Sequence, residues 1–215
     1  PVHDAEIGPF PIGAHITLRR MLLRHPNPKG TVLLLHGFPE TLLAWHDIAQ
    51  ALADDFEVHA FDWPGYGLSS RPADGTFSYA PKDYARVLKD YIAQAGIDRS
   101  TLTIYATDIG ALPALLLALE EPDIARRIIV GDFAPFNRPQ FMYASLQSLK
   151  AGPAKDEVRA SLNSNRDEIG GGPSGCVTCD LEDHRGSFSF RPPRKRGYGR
   201  PPRKPVFIAN NIIAL

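Results

Sequence analysis

The sequence predicts an α/β fold, a mostly parallel sheet with helices on both faces. Three observations predict the layered sheet. Apolar runs of strand length, residues 31–37 (TVLLLHG) and 56–62 (FEVHAFD), read as strands buried on both sides. Segments with helical spacing of apolar residues separate such runs. The two kinds of segment alternate in order as far as Phe133, which a parallel sheet with crossover helices requires.

Each element follows from its own pattern. Residues 15–23 (HITLRRMLL) alternate weakly and read as a strand. After the strand at 31–37, Leu42, Leu43, Trp45, Ile48, Ala49 and Leu52 fall at helical spacing over 42–54. The strand at 56–62 comes next. Residues 82–95 are helical, with Tyr84, Val87, Leu88, Tyr91 and Ile92 on one face and Gly96 just past the end. Residues 102–107 (LTIYAT) form a third buried strand, 111–119 an apolar helix halted before Pro122, and 125–133 (ARRIIVGDF) a fourth strand.

Composition narrows the function classes. The chain has 215 residues, with 24 Lys and Arg balancing 24 Asp and Glu. A zero net charge argues against a general nucleic-acid binder, which needs excess positive charge to displace counterions from phosphates. The longest apolar runs, such as 115–119, fall far short of the roughly 18 residues that cross a bilayer. No charged-then-apolar leader opens the sequence. Cys176 and Cys179 are too few for a disulfide framework. The expectation is a cytoplasmic protein acting on a small molecule, with no cofactor, no nucleic acid and no membrane as partner; the oligomeric state is not legible.

The whole-chain average hides a break. Between residues 170 and 205 stand seven glycines and six prolines, and from 170 to 215 eight Lys/Arg face three Asp/Glu. This stretch has no apolar periodicity, so 170–215 reads as an irregular tail. Its last eleven residues, PVFIANNIIAL, regain enough apolar character for one strand or a short helix.

In open parallel sheets, sites collect at the carboxyl ends of strands. The segments there are HGFPE (36–40), DWPGYGLSS (62–70), ATDIG (106–110) and GDFAPFN (131–137). ATDIG is the sharpest. A strand runs into Asp108 and then into an apolar helix, with small residues at Ala106 and Gly110. Small flanks allow a tight strand-to-helix turn that projects one side chain above the sheet. The plain alternative is an aspartate that only caps its helix.

These segments together resemble the epoxide-hydrolase and haloalkane-dehalogenase branch of the α/β-hydrolase superfamily. HGFPE followed by Trp45 is similar to that branch's loop after the third strand, and DWPGYGLSSRP (62–72) to its loop after the fourth. ATDIG falls where the nucleophile elbow belongs, with aspartate in place of serine. The resemblance covers about residues 10–150. It implies that Asp108 attacks a saturated carbon to give an alkyl ester, which water then hydrolyses with a general base and an oxyanion hole. It further implies that the Phe38 and Ile109 backbone N–H groups form that hole, with a cis bond between Phe38 and Pro39, and that Asp132 orients the base as in some dehalogenases; the plain alternative for Asp132 is a strand-end turn residue. His36 reads as a support of its loop.

The resemblance separates the substrate classes in part. Dehalogenases of this branch hold the halide with side-chain N–H donors at positions occupied here by Phe38 and Ile109, which have none. The leading expectation is an epoxide-hydrolase-like enzyme; a haloalkane or haloacid dehalogenase is the alternative. The resemblance divides the chain into a hydrolase core (1–139), the start of a helical cap (140–169) and the tail. His184, the only histidine after Asp108, lacks a recognisable strand before it. This motivates a third expectation, a catalytically impaired, truncated hydrolase without its base. Tyr143 reads as a cap tyrosine or an ordinary amphipathic-helix residue. Cys176, Cys179 and His184 offer three ligands where structural zinc wants four, so no metal is expected.

Overall fold

A computed structural model describes residues 2–73 and 75–133, together with Glu157, Ile213 and Ala214. Within it, seven strands form one sheet in the order β1-β2-β4-β3-β5-β6-β7. The strands are β1 (Ala5–Ile12), β2 (Ile16–Leu23), β3 (Thr31–Leu35), β4 (Glu57–Phe61), β5 (Leu102–Thr107), β6 (Arg127–Gly131) and β7 (Ile213–Ala214). Strands β4, β3, β5 and β6 run parallel, whereas β1, β2 and β7 join antiparallel at the two sides. The helices are α1 (His46–Leu52), α2 (Pro81–Gln94) and α3 (Ala111–Glu120).

Side chains alternate across the pleat and so serve two layers. Leu33 and Leu35 of β3, Phe61 of β4 and Ile104 of β5 pack with Leu88, Tyr91, Ala114 and Leu117 of α2 and α3. Val32 and Leu34, one residue out of phase, pack on the other face with Trp45, Ala49, Val58 and Ala60. Both faces of the parallel strands are therefore covered, which accounts for their continuous apolar runs.

Two features differ from the sequence expectation, and a third agrees with it. β1 was not expected, because Gly8, Pro9 and Pro11 interrupt its pattern. It lies at the sheet edge, where proline is tolerated, and pairs with β2 from Ala5 opposite Leu23 to Ile12 opposite Ile16. Residues 42–45 form a 3-10 turn capped by Thr41 Oγ1, which accepts the Leu43 N–H at 3.3 Å, and α1 proper starts only at His46. Ile213 and Ala214 extend the sheet opposite Val130 and Ile129, within the eleven residues expected to hold a strand or short helix. Among the described residues no helix is long and apolar enough to cross a membrane.

Candidate active site

β5 ends at Thr107, and the chain turns sharply into α3 through Asp108. Asp108 has φ +49°, a left-handed conformation that an L-residue adopts at a cost and that aspartate tolerates better than most. Two glycines make the turn possible. A Cβ on Gly110 would stand 2.7 Å from the His36 carbonyl oxygen, and one on Gly37 would stand 2.6 Å from Asp108 Cβ. The loops after β3 and β5 therefore touch backbone to backbone.

The loop after β3 closes as a turn from Gly37 to Glu40, with Phe38 and Pro39 joined by a cis bond as the family resemblance implied. The Glu40 N–H donates to the Gly37 carbonyl at 3.1 Å, and Glu40 Oε2 accepts the Gly37 N–H at 3.0 Å. The Phe38 N–H points across to the next loop and donates to Asp108 Oδ1 at 2.9 Å.

His36 lies beneath this turn, fully buried. Its Nε2 accepts the Trp63 backbone N–H at 3.1 Å, which leaves the proton on Nδ1, and Nδ1 donates to the Gly37 carbonyl at 2.8 Å. Burial pushes the imidazole pKa below the ordinary histidine value. Neutral and engaged at both nitrogens, His36 sits in the role of a loop support. Tyr66 packs edge-on against both His36 and Phe38; burial and then the charge of Asp108 push its hydroxyl up to about 12.

The loop after β4 is organised by Asp62, which sequence reading quoted only as part of a motif. Its fully buried carboxylate accepts from Arg19 Nε at 2.6 Å, the Leu42 N–H at 2.7 Å and the Leu68 N–H at 3.0 Å. Gly67 (φ +46°) permits this, because a Cβ there would stand 2.0 Å from Asp62 Oδ2. The small residues of DWPGYGLSS thus let the loop wrap a buried acid. No sequence signal marks Asp62 out, because its charged donor Arg19 stands 43 residues earlier in the chain.

Phe38, Glu40, Ala44, Trp45, Thr107, Asp108 and Asp132 line one open cavity of about 340 Å³ at the carboxyl ends of the parallel strands. Asp132 follows β6 directly and has φ +46°, so the two aspartates leave adjacent strands through similar corners. Ile109 follows Asp108 in the turn and is partly exposed. Trp45 forms part of the wall, but its Nε1 is buried, without a hydrogen-bond partner among the described residues. No group of three or more His, Cys, Asp or Glu among the described residues could hold a metal ion. Tyr143, Cys176, Cys179, His184 and most of residues 140–215, where a cap start and a tail were expected, lie outside the described residues.

The family model for the alpha/beta hydrolase fold matches residues 30–146, more than half of the chain. The chain belongs to the alpha/beta hydrolase fold family. Within that family it is similar to haloalkane dehalogenase 2 of Mycobacterium tuberculosis, 34% identical over 101 residues that make up 47% of this chain and 34% of the relative. It is also 32% identical over 156 residues to epoxide hydrolase srdG of Neurospora crassa, covering 66% of this chain and 44% of the relative. The chain spans between about a third and under half the length of these two hydrolases. The crystal structure of Cfl2 from Burkholderia cenocepacia superposes with a TM-score of 0.59 at 23% identity, over 76% of this chain and 57% of that one. That likeness speaks for the alpha/beta hydrolase architecture alone.

Proposed function

We propose that Asp108 is the nucleophile of an epoxide-hydrolase-type reaction, and that one hydrogen bond carries this reading: Phe38 N–H to Asp108 Oδ1. The bond supports a division of labour between the two carboxylate oxygens. Oδ2 attacks the saturated carbon of an epoxide, forming the Oδ2–C bond while the C–O bond breaks and its electron pair goes to the epoxide oxygen, which takes a proton from solvent. Oδ1 becomes the carbonyl oxygen of the resulting ester and stays against Phe38.

Water then adds to Cγ, negative charge develops on Oδ1, and the Phe38 and Ile109 N–H groups stabilise it. Collapse breaks the Cγ–Oδ2 bond and releases a diol that carries Oδ2. In this scheme Asp132, just past the neighbouring strand, orients the general base. The proposed segmentation into hydrolase core, cap start and tail leaves the base to a residue after the core.

The dehalogenase reading is the second candidate, favoured by the similarity to haloalkane dehalogenase 2. Against it, Phe38 and Ile109 provide no side-chain N–H, and the buried Nε1 of Trp45 does not open to the cavity. Three carboxylates and no Lys, Arg or His among the described lining residues argue further against a haloacid substrate.

Mass spectrometry after incubation with a reactive epoxide tests the proposal. An ester adduct on the peptide containing Asp108, absent in Asp108→Ala, is the expected result. An adduct that survives the substitution would sink it.

A further inference from the structure

The peptide unit that joins Gly37 to Phe38 has one end aimed at Asp108 and the other end held. Its carbonyl oxygen accepts from His36 Nδ1 at 2.8 Å and from the Glu40 N–H at 3.1 Å. In a trans peptide the N–H lies opposite the C=O, so fixing the carbonyl fixes where the Phe38 N–H points. The residue before this unit needs fixing too, since Gly37 has no side chain to restrain its rotation. The Glu40 carboxylate does that, accepting the Gly37 N–H through Oε2 at 3.0 Å.

We infer that Glu40 is a positioning residue: its side chain locks Gly37 so that the Phe38 N–H is presented to the Asp108 carboxylate before any substrate arrives. This rests on the alkylation reading for its catalytic meaning, though not for its geometry. A flexible glycine beside a hydrogen-bond donor would otherwise let the peptide rotate, and the donor would have to be reoriented during each reaction. Preorganised donors avoid that cost. Glu40 thus belongs to the site although it touches no reacting atom.

Amide hydrogen exchange on the ¹⁵N-labelled chain reads the lock directly. Glu40→Ala should speed exchange at Phe38 by about tenfold, the loss expected for one charge-assisted hydrogen bond. Glu40→Gln, whose amide oxygen can still accept from Gly37, should stay within about threefold of the parent. Glu40→Met, of similar length but unable to accept strongly, serves if the alanine variant fails to fold, and should follow the alanine pattern. Equal exchange in all variants would overturn the inference, as would Gln behaving like Ala.

The same variants incubated with the epoxide give the catalytic readout. In Glu40→Ala, decay of the ester should slow by about tenfold while its formation changes less. Equal slowing of both steps would overturn the positioning role. An absence of adduct on the parent would instead refute the alkylation reading, and the exchange data would still decide on Glu40.

Discussion

Gly37 and Asp108 meet so closely that a single added methyl group would collide: the Cβ of an alanine at 37 would stand 2.6 Å from Asp108 Cβ and 3.1 Å from Oδ1. The contact joins the loops after β3 and β5 at the point where the candidate oxyanion donor faces the candidate nucleophile. Gly37→Ala should therefore destabilise the fold by roughly 1–3 kcal/mol through overpacking and should also displace Asp108. Urea denaturation and epoxide adduct yield, measured on one preparation, check this. An unchanged adduct yield would mean that the contact does not govern the carboxylate.

Single-turnover reaction in ¹⁸O-labelled water should place the heavy oxygen in Asp108 and not in the first diol released. The reason is that water adds to Cγ while Oδ2 leaves with the product. Direct attack of water on the epoxide would label the diol at once. Asp132→Asn should lower the rate of ester decay more than the rate of its formation.

Release should be slower than formation. The described cavity wall presents Glu40, Asp108 and Asp132, and a carboxylate is a weaker base near neutral pH than an imidazole. A general base typically supplies about 10²–10⁴-fold. Stopped-flow measurement of epoxide consumption should show a burst of about one equivalent followed by a much slower phase, with diol appearing only at the slow rate. Sustained fast turnover would contradict this, and His184→Ala would then be the variant to compare.

Substrate charge should matter. A carboxylate about 5 Å from each lining acid meets a repulsion of ~3 kcal/mol per pair at an effective dielectric of ~20. Even after screening, an uncharged epoxide should alkylate Asp108 at least about tenfold faster than a carboxylate-bearing analogue of similar size. Adduct yields from a competing mixture of the two give the ratio.

Acid should weaken the fold. Burial pushes His36 and His59 below the usual histidine value, so their imidazoles resist protonation while folded. The unfolded chain takes up those protons as pH drops through about 6.5, and stability declines with it. Above that range the two histidines add no slope. Urea midpoints should fall between about pH 7.5 and pH 5.5, and less steeply in His59→Gln.

Much of this architecture was legible because it depends on short-range patterning. The parallel strands announced themselves as continuous apolar runs, and Asp108 stood out by its small neighbours at the end of one of them. What stayed hidden depends on partners far away in sequence. β1 acquires its strand conformation from pairing with β2, against its own prolines. Asp62 looked like a loop residue until Arg19, 43 positions earlier, was found against it. Glu40 carried no signal beyond its motif, since its importance lies in which backbone N–H its side chain reaches.

Asp108 and Asp132 leave their strands at φ +49° and +46°. Glycine would sit at both corners with less strain, since it has no Cβ to crowd the backbone there. The conformational preference of the chain and the presence of the two acids are therefore opposed. Replacing either acid by glycine would relax the corner while emptying it of its carboxylate, so a screen for thermal resistance alone would tend to erase the two groups that the cavity depends on.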